Sequence, residues 1–345
     1  MSGPVWAPPE PGAVDVHTHV VPPATSFVER LTATDPRWAR LVRRADRDDV
    51  ADVVVAGRLF RTVRRVAYDL DQRHAEQAAR GLAGQVLSAM PELFATWAPA
   101  AEAADYCRAF NEWLAEQVVG YDGFYCGLGI VPLQDPAVAP ELLAEIGRLG
   151  LLGVEIPCAT PDAPLHDRRF DEFFTEAERL GLLVFMHSVG SVTEFDHAMA
   201  GTGAIFPARI GEALAGLIAN GVLARHPGLR LLASHGGGGL PASVARLDFV
   251  RGMAPPTRES MPEPAATYAR RIWFDPLVFD AAVLCLLIEL VGTDRLVLGS
   301  DYPFLPVDPA ELLRDPRLPD GLVDQVRSEN PRRLLADAPG TKHEE

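Results

Sequence analysis

Apolar positions along the chain fall into two alternating patterns. Short, nearly continuous apolar runs recur at Val14–His19, Gln85–Met90, Phe124–Val131, Gly153–Pro157, Leu182–His187, Leu229–His235, Ile272–Phe274 and Leu296–Ser300. Runs of this kind predict parallel strands buried on both faces. Between them, apolar residues recur every three or four positions among Ala, Leu, Glu and Arg, which predicts helices. These cover Ala101–Val119, Pro140–Leu149, Asp167–Leu180, Pro207–Arg225, Ala281–Val291 and Gly321–Ser328, with Gly150, Gly181 and Gly292 as stop signals. Strands and helices in strict alternation predict an α/β fold, a (β/α)8 TIM barrel, which takes about 250 residues. The chain has 345, and the surplus falls in residues 24–60, where Asp52–Phe60 predicts a small β insertion after the first strand. No Gly-x-Gly-x-x-Gly opens a helix, which argues against a doubly wound sheet. The chain reads as one domain, 1–345, with a disordered polar tail at 340–345.

Composition narrows the function. The net charge of −15 argues against nucleic acid as a partner, and an anionic substrate then needs a local arginine. No apolar run approaches the ~20 residues of a membrane span, and Met1–Pro11 lacks the basic and apolar regions of a secretion signal. Cys107, Cys126, Cys158 and Cys285 form no Cys-x-x-Cys pair and read as reduced, mostly buried thiols of a cytoplasmic protein. Lys342, in the tail, is the only lysine, which excludes a Schiff-base lysine in the core and a lysine bridging two metals.

Five residues at strand ends carry the candidate chemistry. Strand alternation puts His17 and His19 on one face. His187, His235 and Asp301 each follow a further apolar run, at the end of a barrel strand where active sites form. Each alone reads equally well as a hydrogen-bonded core histidine or a helix-capping aspartate. Together, His17, His19, His187 and Asp301 offer three nitrogens and a carboxylate, a set that suits Zn2+ and also admits Mn2+, Fe2+ or Co2+. His235 is then free for proton transfer, and Gly236–Gly239 let the backbone approach substrate. No P-loop and no Gly-x-Ser-x-Gly elbow is present.

The ordered stretches Asp15-Val-His-Thr-His19, Leu59-Phe-Arg61-x-Val63, Gly153-Val-Glu-Ile156, Val184-Phe-Met-His187, His235-Gly-Gly-Gly238 and Leu298-Gly-Ser-Asp-Tyr-Pro-Phe304 resemble the amidohydrolase superfamily. They are most similar to its amidohydrolase-related branch, which includes the aminocarboxymuconate-semialdehyde decarboxylases. The resemblance implies a distorted barrel with one divalent metal, usually zinc, held by His17, His19, His187 and Asp301, with His235 and Asp301 catalytic. It implies that Arg61, otherwise read as a solvated helix residue, clamps a substrate carboxylate. Arg246, otherwise an ion-pair partner for an acid such as Asp248, would reach the neighbouring site of a homodimer. Phe94 and Trp97 resemble the aromatic wall of the substrate pocket. Glu155 stands where relatives often carry an amide, and Ser188-Val189 where the decarboxylase has Pro-Trp. The expected activity is non-oxidative decarboxylation of a small unsaturated or aromatic carboxylic acid. Alternatives are hydrolysis of a lactone or amide, hydration of an unsaturated acid, or a non-catalytic metal-binding scaffold or sensor.

Overall fold

The structure, a computed structural model, describes residues 12–23, 26–188, 198–305 and 308–336. Its strands are β1 (Ala13–Val20), β2 (Arg40–Arg43), β3 (Val50–Val55), β4 (Arg58–Arg64), β5 (Leu82–Ala89), β6 (Tyr125–Gly129), β7 (Gly153–Pro157), β8 (Leu183–His187), β9 (Arg230–Ala233) and β10 (Trp273–Phe274). Seven of them form one parallel sheet in the order β1-β5-β6-β7-β8-β9-β10. Strand alternation gives each a use on both faces. On β8, Leu183 and Phe185 join a cluster with Val14, Val86, Leu128 and Leu232, while Val184 and Met186 join the larger core with Phe173 and Leu214 of the surrounding helices.

The eighth predicted strand, Leu296–Ser300, forms no full ladder but still closes the barrel. Val297 N–H donates to Phe274 O (2.9 Å) on one side. On the other, Val16 N–H donates to Leu298 O (2.8 Å) and Asp301 N–H to His17 O (2.9 Å). Gly299 is the reason for this close seating: a Cβ there would lie 2.7 Å from the Cβ atoms of both His17 and Asp275.

The helices largely follow the sequence pattern. Ala100–Val118, Val138–Arg148, Asp171–Leu180 and Ala281–Val291 form as expected. Asp280 caps the last of these, accepting from the N–H groups of Ala282 and Val283. Gly181 ends the third in the left-handed region at φ 65°. Three expectations are corrected. The helix predicted from Pro207 starts at Ala198, runs through Pro207 to Ala219 and resumes at Val222–Arg225. Gly321–Ser328 is a short helix, Leu322–Asp324, running into a π turn. The insertion expected at 24–60 is a helix, Ser26–Thr34, and an antiparallel sheet β2-β3-β4 that is larger than the Asp52–Phe60 expected for its β part. The tail at 340–345 lies outside the described residues. No helix among the described residues is long and apolar enough to cross a membrane.

Candidate active site

β1 delivers His17 and His19, β8 delivers His187, and the segment closing the barrel delivers Asp301. One ligand atom from each lies within 4.8 Å of all the others. His17 and His19 are fully buried and His187 nearly so. The second nitrogen of each ring faces an acceptor. His17 Nδ1 is 2.7 Å from Asp275 Oδ2, His19 Nδ1 is 2.9 Å from Ala89 O, and His187 Nδ1 is 2.7 Å from Ser188 O. That network assigns the ring protons to Nδ1 and leaves each Nε2 as a lone pair. Two such lone pairs, on His17 and His19, stand 3.1 Å apart, and His187 Nε2 is buried without a hydrogen-bond partner. Asp301 Oδ1 is 3.1 Å from His19 Nε2 and 3.7 Å from His17 Nε2. Acceptors converging at such distances repel one another unless a cation lies among them, so the residues fit a divalent metal. Burial holds His19 down to about 4 and His187 well below the usual histidine range. Burial would raise Asp301, but His19 and His17 outweigh it and hold the carboxyl at about 2. Neutral His19 and His187 and an ionised Asp301 are the forms that ligate; burial would lower His17 too, but Asp275 outweighs it and raises that ring above the usual histidine value.

Asp275, at the end of β10, is a site residue the sequence reading missed. Besides His17, its carboxylate accepts from the N–H groups of His235 (2.9 Å), Gly236 (3.0 Å) and Leu277 (3.0 Å). These bonds hold His235 at φ 53°, a left-handed conformation that costs a non-glycine residue energy. Asp301 is likewise left-handed, at φ 56°. His235 Nε2 is buried without a partner, and its ring lies 5.0 Å from that of His187. Two of the glycines after it are required by packing. A Cβ on Gly238 would fall 1.9 Å from Pro207 O, and one on Gly236 2.2 Å from Val278 Cγ1.

Arg61 lies on β4 rather than on a helix. Its guanidinium sits over Phe304 (4.5 Å), which stacks on His19 (5.5 Å), and 3.7 Å from Glu92 Oε1. Phe94 and Trp97 line a cavity of about 190 Å3 with Phe60, Glu92, Ser188 and Phe206. Phe206 also stacks on His235, at 6.0 Å. Glu92 and Phe206 were not singled out from sequence: Glu92 stands two residues past the predicted strand Gln85–Met90, and Phe206 lies within a helix. Glu155 is buried on β7, with Oε1 3.7 Å from His19 Nδ1, and is not among the side chains lining this cavity. Burial pushes its carboxyl well above the usual range. Arg246 is exposed on the helix Leu240–Met253. Asp248 does not pair with it but accepts from Ala265 N–H.

The chain matches the amidohydrolase family over residues 14–336. It is similar to the 2-amino-3-carboxymuconate-6-semialdehyde decarboxylase of Dictyostelium discoideum, with 29% identity over 296 residues that cover 84% of this chain and 81% of that one. Among solved structures, it is similar in fold to 5-carboxyvanillate decarboxylase from Sphingomonas paucimobilis (TM-score 0.75, 23% identity, 94% of this chain and 98% of that one). It is also similar in fold to a dihydroxybenzoic acid decarboxylase from Polaromonas sp. JS666 with bound manganese and 2-nitroresorcinol (TM-score 0.74, 19% identity, 96% and 99%). The family match takes in the histidines of β1, runs through His187 and His235, and passes Asp301 to the last helix: this chain belongs to the amidohydrolase family.

Proposed function

We propose that the protein is a metal-dependent carboxy-lyase that removes CO2, without oxidation, from a small unsaturated or aromatic carboxylic acid. The observation that carries the reading is the unpartnered Nε2 of His235, buried beside the ligand cluster but outside it. The relatives named above support it, being decarboxylases of 2-amino-3-carboxymuconate-6-semialdehyde, 5-carboxyvanillate and dihydroxybenzoic acid. The bound divalent ion supplies positive charge that offsets negative charge growing on the substrate. Three imidazoles and a carboxylate favour zinc, with manganese the main competitor.

In this reading His17, His19, His187 and Asp301 hold the metal, and Asp275 fixes the tautomer of His17. Arg61 binds a substrate carboxylate through its paired N–H groups. Phe94 and Trp97 keep water from one wall of the cavity. His235 carries a proton to the carbon that CO2 leaves. His235→Asn should keep about one divalent ion per chain by elemental analysis yet lose ~10^2-fold or more of the turnover. Loss of metal in step with activity would make His235 a ligand and overturn its assigned role.

The enzyme acts as a homodimer in which Arg246 enters the partner's site. The helix bearing Arg246 carries Phe249 and Met253 at 67% and 69% exposure, apolar surface that an interface would cover. Dilution below the dimer dissociation constant should cost activity with metal still bound; a fully active monomer would contradict this. Cys107, Cys126, Cys158 and Cys285 form no disulfide with one another, which supports a cytoplasmic location.

A further inference from the structure

Glu92 stands out among the buried polar groups that the proposed mechanism does not use. It sits in the turn Pro91–Leu93 that follows β5, and its side chain is only 17% exposed. One carboxyl oxygen, Oε1, lies 3.7 Å from the Arg61 guanidinium. The other, Oε2, is buried without a hydrogen-bond partner, and so is the hydroxyl of Ser188. Both residues line the cavity, whose aromatic walls are Phe60, Phe94, Trp97 and Phe206 and which Thr96 also borders. The polar residues of that lining are few, Glu92, Ser188 and Thr96, and the Arg61 guanidinium stands beside it, against Glu92.

A buried acceptor without a partner beside an aromatic cavity is suited to a donor brought by the ligand, because a ligand without one leaves that acceptor unpaired. Glu92 and Arg61 are close enough that the groups they bind must lie near each other on the substrate. We propose that Glu92 is a specificity-determining residue: its Oε2 accepts a hydrogen bond from an amino or hydroxyl group carried close to the carboxylate that Arg61 holds. The inference rests on the decarboxylase reading for the identity of that carboxylate. Glu92 selects against acids whose neighbouring substituent is a methyl group of the same size, or an ether that offers only lone pairs.

Calorimetric binding to the metal-loaded enzyme tests this with benzoates matched in shape. The wild type should bind 2-aminobenzoate about tenfold or more tighter than 2-methylbenzoate. The 2-hydroxybenzoate arm separates the two donor types, since that hydroxyl can spend its only hydrogen on its own carboxylate whereas the amine keeps a second. Glu92→Leu should bring the amino and methyl acids to within about twofold of each other. Glu92→Gln, which keeps a neutral acceptor and the side-chain volume, should retain part of the preference and covers the case in which the leucine variant fails to fold. If Glu92 only steadies Arg61, Glu92→Leu weakens every benzoate by the same factor, which overturns the inference. A wild type that binds the amino and methyl acids equally overturns it too and leaves the decarboxylase reading standing. A wild type that binds no benzoate, and releases no CO2 from any ring or unsaturated acid, overturns both.

Discussion

Asp275 links two residues that the chemistry needs in register. Its carboxylate takes the Nδ1–H of His17 and the backbone N–H groups of His235, Gly236 and Leu277. The first bond fixes the tautomer of a metal ligand, and the next two set the backbone that aims the proton-carrying ring. Asp275→Asn keeps the shape but loses the charge and turns an N–H toward donors that need an acceptor. Metal affinity should fall by about 10- to 100-fold, read by competition with a chelator, and turnover should fall with it. Unchanged affinity would reduce Asp275 to a loop brace. In the sequence Asp275 ends the apolar run Ile272–Phe274 much as Asp301 ends its own. The type and position were therefore visible, but the pairing with His17 spans 258 positions and exists only once the barrel closes. The unpaired oxygen of Glu92 was invisible for the same reason.

Elements whose residues are buried on both faces were the most legible. β7 runs Gly153–Pro157 as expected, and β8 begins one residue later than expected, at Leu183, and ends at His187. The β insertion was only half seen because two of its three strands are thinly buried. β2 has one buried residue in four and β4 one in seven, so the alternation of apolar and polar positions is faint. The run Leu296–Ser300 was read correctly as the last piece of the barrel, yet its hold on β1 is partly through side chains. Asp15 takes the Ser300 hydroxyl at 2.5 Å and the Ser300 N–H at 3.1 Å. Behind them, fully buried Arg73 donates to Gln85 Oε1 (2.8 Å) and to the carbonyl of His19 (2.7 Å), and lies over the ring of Tyr302. This buried network positions both ends of the ligand set, and no periodicity in the chain announces it.

Across the whole molecule, charge is unevenly placed. Residues 36–68 hold nine arginines against four aspartates in a chain whose net charge is −15. That stretch includes β4, which brings Phe60 to the cavity wall and Arg61 to the site. We infer that the basic sheet offsets the repulsion an acidic enzyme exerts on an anionic substrate and raises its rate of encounter. Exposed Arg58 is part of that field, and no contact places it in the site. Arg58→Glu should lower kcat/KM several-fold at low salt while leaving kcat nearly unchanged. The difference from wild type should shrink as ionic strength rises and the Debye length falls to about 8 Å near 0.15 M. A salt-independent difference, or one confined to kcat, would contradict steering.

Decarboxylation and its alternatives part at the carbon that bears the carboxylate. The most direct measurement incubates the metal-loaded enzyme in D2O with a panel of ring and unsaturated carboxylic acids, following released CO2 and the mass of each product. A decarboxylase should release CO2 in one-to-one ratio with a product carrying one deuterium at the vacated carbon, with His235→Asn slowing both together. A product that has gained water and released no CO2 would contradict this reading and would make the same ligand set that of a hydrolase or hydratase.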